Sequence, residues 1–295
     1  MSSGIGTRII DDFYTMRSFE TEYDTKPLME RVWHVFCAII NTIIYYLSMI
    51  PRLFNFTAEE CVAPNVEKHE WKIENNKGLY VVIHGLNASP KTTAWNYVSQ
   101  IKKEHPNTYE IRAPHVHEKG NCSLKDAAKP ILKMVNSYIA KNPGKPIHLI
   151  GTSNGARIAA FVEVALRKKN VNIRITAVAG VFFGSKTMEI LTKWPLVRAQ
   201  FHNSIIQDFK IASKRSKNLI EKMREPVTIG SRSYEFYATP NDESMPNRSS
   251  SLPREIPGAT YHPFVSGQSH ISIWDSLRPK VLKDSYEWMK AQPLS

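Results

Sequence analysis

The chain has 295 residues, of which 39 are Lys or Arg and 27 Asp or Glu, giving a formal net charge of +12, and 42% are hydrophobic. That length suits one large α/β domain with an extension, and the apolar content excludes a disordered chain. Three cysteines (Cys37, Cys61 and Cys122) lack any C-x-x-C spacing, which excludes a disulfide framework and a zinc site and leaves free thiols or a lone Cys61–Cys122 bridge. The basic balance favours anionic membranes, acidic substrates or nucleic acid. No helix-turn-helix, zinc-finger or RNA-binding signature is present and the positive charge is spread along the chain, so nucleic acid is set aside as a partner.

Residues 1–27 are polar, mixed in charge and without sustained periodicity, and read as a loosely ordered arm. Residues 32–50 (VWHVFCAIINTIIYYLSMI) carry no acidic residue, Lys or Arg and are bracketed by Arg31 and Arg52. Their length approaches the ~20 residues that span a hydrocarbon core. A signal peptide is disfavoured, because the run starts far from Met1, follows acidic residues and precedes no A-x-A site. Two readings stay open: a spanning or surface-embedded anchor, or a helix packed on the protein's own body or capping its pocket. If the segment spans, the surrounding Lys and Arg place Met1 on the cytoplasmic side. The organisation expected is an arm with this helix over 1–60 and a catalytic domain over 61–295.

Residues 54–76 link the two and supply an early strand, with alternation over 70–74. Residues 79–83 are a β-prone apolar run, expected as a central parallel strand, and end in His84-Gly85-Leu86-Asn87. Ser89-Pro90 opens a helix over 91–103. A strand over 109–114 follows, and then a helix from the cap Ser123 to about Lys141, interrupted at Pro130. Asn142-Pro143-Gly144 breaks it. His115 and His117 share an H-x-H spacing, but no carboxylate or cysteine clusters with them, so no metal site is assigned.

Residues 147–157 read IHLIGTSNGAR: a short apolar strand, a sharp turn and a helix, with Ser153 at the turn. A nucleophilic serine pushed clear of the backbone needs strained dihedrals, and side chains two residues either side would collide, so Gly151 and Gly155 relieve crowding. This is the G-x-S-x-G nucleophile elbow, and the sequence here resembles the α/β-hydrolase superfamily. The resemblance covers roughly residues 79–290. It implies a mostly parallel central sheet with helices on both faces, and a triad in the chain order Ser, Asp, His. It also implies an oxyanion hole made of the Leu86 and Asn154 N–H groups, with Gly85 letting the backbone approach the substrate. Asn154, Ala156 and the single His-Gly pair depart from many lipases and leave the substrate subclass open.

The helix from Asn154 runs to about Lys168, and a strand covers 173–181. Residues 185–226 then break the strand–helix rhythm as helical pieces around 188–191, 196–212 and 216–224. The resemblance implies a lid. It holds nine Lys or Arg against four Asp or Glu, with Trp194, Leu196, Phe201 and Phe209 interleaved. Such a lid suits a lipid interface or an anionic acyl substrate, and a solvated helical face is the plainer alternative. A strand over 234–238 leads into Asp242, a last strand over 259–265 into a Gly/Ser-rich loop with His270, and a helix over 274–290 closes the chain.

Ser153, Asp242 and His270 thus follow the superfamily's order. Glu243 and Asp208 compete as the acid and His262 as the base; Ser269 and Ser272 are read as shaping the His270 turn. The resemblance implies a cofactor-free serine hydrolase acting on a small-molecule or lipid ester, at or near a membrane if the first helix attaches there. A non-catalytic module on the same scaffold is the alternative from another class, and thioesterase, acyltransferase and peptidase chemistries share the machinery.

Overall fold

A computed structural model describes residues 23–54, 73, 76–246 and 248–292. Six strands form one sheet: β1 (Leu79–Ile83), β2 (Glu110–Arg112), β3 (Ile147–Thr152), β4 (Ile173–Val178), β5 (Arg232–Tyr237) and β6 (Ala259–Tyr261). Their order is β2-β1-β3-β4-β5-β6 and every pairing is parallel. β1, β3 and β4 are buried along their whole length, as apolar runs covered on both faces must be. Strand β3 is central, and its register brings Gly151 opposite Ile83, so the segments after β1 and β3 leave the sheet side by side.

Helices cover both faces. On one, Leu79, Val81 and Ile83 pack with α3 (Leu124–Lys141), α4 (Asn154–Ala165) and α8 (Lys214–Arg224). On the other, Tyr80 and Val82 meet α2 (Trp95–Glu104) and α9 (Ser272–Ala291). His148, in the middle of β3, is buried between Ser285 of α9 and the Thr176 hydroxyl, the latter at 2.9 Å. Burial holds this imidazole well below the ordinary histidine range.

Three expectations need correcting. Helix α3 is continuous through Pro130: its stripe of Leu124, Ala127, Ala128, Ile131, Val135 and Tyr138 is buried, and that packing outweighs the one backbone bond proline removes. The helix expected over 91–103 opens as a wider π turn over Pro90–Ala94 before α2 begins. The 185–226 insertion, expected as a lid, ends in the body of the protein: Leu219, Ile220 and Met223 of α8 lie in the main core. Short helices α5 (Lys186–Leu191), α6 (Pro195–Arg198) and α7 (Asn203–Asp208) make up the rest.

One buried ion pair ties this insertion to α4. Asp208, at the end of α7, and Arg157, on α4, are both fully buried with Oδ2 and Nη2 3.1 Å apart; Arg215 meets Oδ1 at 3.1 Å from the solvent side. Removing one partner strands the other charge. Asp208→Ala is expected to cost about 3–5 kcal/mol of stability, read as a lowered urea midpoint; a change under about 1 kcal/mol would refute this coupling.

The first helix, α1 (Leu28–Phe54), is longer than expected at both ends. Asn41 Nδ2 donates to the Gly267 carbonyl at 2.8 Å, and Ala38 is buried, so α1 packs on the body. Among the described residues no helix is long and apolar enough to cross a membrane. The 70–74 alternation and Cys61 lie outside the described residues, apart from Ile73; Cys37 and Cys122 are free thiols.

Candidate active site

Ser153 stands between β3 and α4 at φ 54° and ψ −124°, a backbone conformation that side chains tolerate only under constraint. The constraint is visible in the glycines. A Cβ on Gly151 would lie 2.5 Å from the Gly155 carbonyl carbon, and one on Gly155 would lie 2.3 Å from the Ile83 carbonyl oxygen. Strand β1, the turn and α4 cross too closely for any side chain there. Gly85 lies beside the serine, where an added Cβ would be 3.2 Å from the Ser153 Cβ.

The two proposed oxyanion donors follow from the same crossing. Asn154 is the first residue of α4, so its N–H has no carbonyl one turn back. The Asn87 N–H donates to the Lys119 carbonyl at 2.9 Å and the Ala88 N–H to the Gly85 carbonyl at 3.4 Å, whereas among the described residues the Leu86 N–H has no protein partner. A left-handed turn through Glu118, Lys119 and Gly120, at φ 47°, 54° and 81°, supports this loop from behind. Gly120 also accepts from Asn154 Nδ2 at 3.3 Å.

His84 proves to be a support. Its Nε2 accepts from the Val116 N–H at 3.2 Å while Nδ1 donates to the Gly85 carbonyl at 2.9 Å. Burial drives its pKa down to about 4, so it stays neutral and keeps this pattern at physiological pH.

Asp242 and His270 come together. His270 Nδ1 lies 2.8 Å from Asp242 Oδ2, and because an ionised carboxylate only accepts, Nδ1 carries the proton and Nε2 is left as acceptor. Oδ1 of Asp242 accepts from the N–H groups of Ser244 at 3.0 Å and Met245 at 2.7 Å. Burial pulls the His270 pKa down, but the charge and hydrogen bond of Asp242, then the charge of Glu243, outweigh it and raise the value above 6.5.

The rivals are occupied elsewhere. Asp208 is held by arginines. Glu243 accepts from the His270 backbone N–H at 2.9 Å rather than from its ring. His262 contacts Glu235 and stacks on Tyr237 with centroids 4.0 Å apart. Ser269 and Ser272 bond to each other at 3.1 Å and shape the turn before α9. His115 and His117 are exposed, and among the described residues no group of three His, Cys, Asp or Glu side chains is placed to hold a metal.

Ser153 and His270 face one cavity of about 450 Å³, with Gly85 and Leu86 on its edge. Its other walls include Val181, Met188, Phe209, Met245, Ile271 and Trp274, and among the described residues no Lys or Arg lines it. The cations of the insertion therefore do not serve an anionic acyl group in this cavity. Sequence reading missed these wall residues, Trp274 above all. Trp274 is held by an Nε1 bond to the Thr93 carbonyl at 2.8 Å and by a tilted ring contact with Tyr97, the centroids 4.2 Å apart at 31°. In the sequence it is one more apolar residue of a closing helix, and only the fold turns it into the cavity.

No protein-family model and no curated protein sequence matches the chain. Solved structures do. The mature form of Bacillus licheniformis lipase BlEst2 aligns over 70% of this chain and 91% of its own at 14% identity and a TM-score of 0.52. Est1E from Butyrivibrio proteoclasticus, solved with ferulic acid bound, aligns over 74% and 90% at 14% identity and a TM-score of 0.50. Phospholipase PlaB from Legionella pneumophila, with thio-NAD, is a looser likeness: 16% identity, a TM-score of 0.40, and 53% of this chain against 37% of that one. This chain thus spans well under half of PlaB's length. With the parallel six-stranded order and the sharp turn at Ser153 after its third strand, the likenesses to BlEst2 and Est1E establish that the chain has the α/β-hydrolase fold.

Proposed function

We propose that the protein is a serine hydrolase that cleaves carboxylic esters with an uncharged, apolar acyl group, through an acyl-enzyme. The observation that carries this reading is the cavity shared by Ser153 and His270, with His270 already held in one tautomer by Asp242. His270 Nε2 takes the Ser153 proton as Oγ attacks the ester carbonyl. The Leu86 and Asn154 N–H groups receive the oxyanion, each worth roughly 2.7–4 kcal/mol of barrier. On collapse, His270 returns the proton to the departing alcohol. Water, deprotonated by His270, then releases the acid and restores Ser153. Asp242 stabilises the imidazolium throughout.

Apolar walls without a cation select for an uncharged acyl chain. The lipase and esterase neighbours agree with the ester class. Thioesters and amides use the same groups, so the leaving group is a matter for assay.

A fluorophosphonate probe should label Ser153, and a series of p-nitrophenyl esters should show kcat/KM rising with acyl length until about 450 Å³ is filled, then falling. A protein that resists the probe and hydrolyses no member of the series is not this enzyme.

A further inference from the structure

Helix α1 packs on the body through a narrow stripe and leaves a broad one bare. Nine large apolar side chains between residues 28 and 43 are exposed: Leu28, Met29, Val32, Trp33, Val35, Phe36, Ile39, Ile40 and Ile43. At 100° per residue they sweep an arc of about 160°. Cys37, Ala38 and Asn41 lie on the opposite side, against Gly267. Trp33 is 60% exposed and Met29 76%; isolated cases are normal on a protein surface, but a continuous face of this size is not.

A second exposed apolar group stands on the insertion. Ile190, Leu191, Trp194 and Leu196 project there, the last 84% exposed, among exposed Lys186, Lys193 and Arg198. Both groups rest on one segment, 241–245, which carries Asp242. From the α1 side, Asn241 Nδ2 donates to the Tyr23 hydroxyl at 3.0 Å and Asn241 Oδ1 accepts from the Gly267 N–H at 3.0 Å. From the insertion side, Thr187 Oγ1 donates to the Glu243 carbonyl at 2.9 Å and Ser185 Oγ to that of Ser244. Ser185, Met188 and Ser244 line the cavity. The two apolar groups therefore flank the candidate active site.

We propose that α1 and the Ile190–Leu196 knob dock the protein onto an anionic phospholipid bilayer, α1 lying in the interface with its bare face immersed. A partner helix covers the narrower seam set by a and d positions; a bilayer takes the whole arc. The +12 charge and the cations beside the knob complement anionic headgroups. The bond from Asn41 to Gly267 holds α1 along the body, an interfacial rather than a crossing geometry. Resting on the ester-hydrolase reading, this makes a membrane-borne ester the substrate that reaches the cavity. The docking itself needs no catalysis.

The test is flotation of the full chain carrying Ser153→Ala with vesicles of phosphatidylcholine alone or mixed equally with phosphatidylserine. The expected result is flotation with the mixed vesicles, weakened by added salt and by omission of phosphatidylserine. Trp33→Glu/Phe36→Glu/Ile40→Glu is expected to reduce partitioning by about a hundredfold, and Trp194→Glu/Leu196→Glu by about tenfold. Both sets are at exposed positions, and in the Ser153-bearing chain p-nitrophenyl butyrate turnover reports whether each variant folds. Retained flotation by either variant overturns the proposal. So does a parent that ignores vesicles and forms a dimer that the α1 variant dissociates, because a second copy then covers the face. If p-nitrophenyl esters are not cleaved but flotation holds, only the enzyme reading falls.

Discussion

Replacing Ser153 by glycine is expected to abolish ester turnover and to raise the melting temperature. Its φ of 54° and ψ of −124° store strain of about 1–3 kcal/mol in any residue with a Cβ. Glycine relieves that strain and returns about 0.5–1 kcal/mol as backbone entropy of the unfolded chain. The net gain is about 1 kcal/mol, or ~2–4 °C. Loss of the nucleophile lowers kcat by roughly 10⁶-fold. Alanine at the same position keeps the Cβ, so it should lose the same turnover without the gain in stability. Calorimetry and p-nitrophenyl ester kinetics on the two variants separate the effects. An alanine variant that turns over normally removes Ser153 as nucleophile, and a glycine variant that melts no higher removes the strain.

Asp242→Asn is expected to lower kcat by about 10⁴-fold and to move the acid limb of the pH–kcat/KM profile to lower pH. The amide can donate where the carboxylate only accepted, which stabilises the wrong imidazole tautomer. The shift has a definite sign. Burial pushes the His270 pKa down, and Asp242, then Glu243, push it up past 6.5. Without the Asp242 charge, burial is less opposed and the imidazole loses its proton at lower pH. Glu243→Gln should move the limb the same way by a smaller amount, with little loss of kcat, because Glu243 reaches His270 through the backbone N–H. A limb that stays put in both variants would mean that His270 is not the titrating base. Because the folded-state pKa is raised, the stability from this pairing is complete below about pH 6.5 and is lost as pH rises through the raised value.

The parallel sheet was legible because β1, β3 and β4 are mostly apolar in sequence, with few polar residues such as His148 and Arg174, and strands covered on both faces read that way. The elbow was legible because its chemistry is local: strand, glycine, serine, glycine and helix lie within eleven residues, and the steric conflict arises between neighbours. The inner boundary of the 185–226 insertion was not legible. Residues 214–224 carry as basic a face as the segment before them, and only their burial against α4 shows that Leu219, Ile220 and Met223 belong to the core. Nor did the sequence reveal that Arg157 reaches across to Asp208, since nothing about either residue names a partner 51 positions away.

The sequence by itself determined roughly where the strands run and which serine is strained, because periodicity and glycine crowding act over a few residues; the resemblance carried by that elbow implied the order in which candidate acid and base follow it. Only the tertiary structure decided which carboxylate meets His270, which apolar side chains wall the cavity and which face of α1 stays bare. Those depend on contacts between segments 28 to 226 residues apart along the chain, where burial and hydrogen-bond satisfaction choose among partners of equal local chemistry.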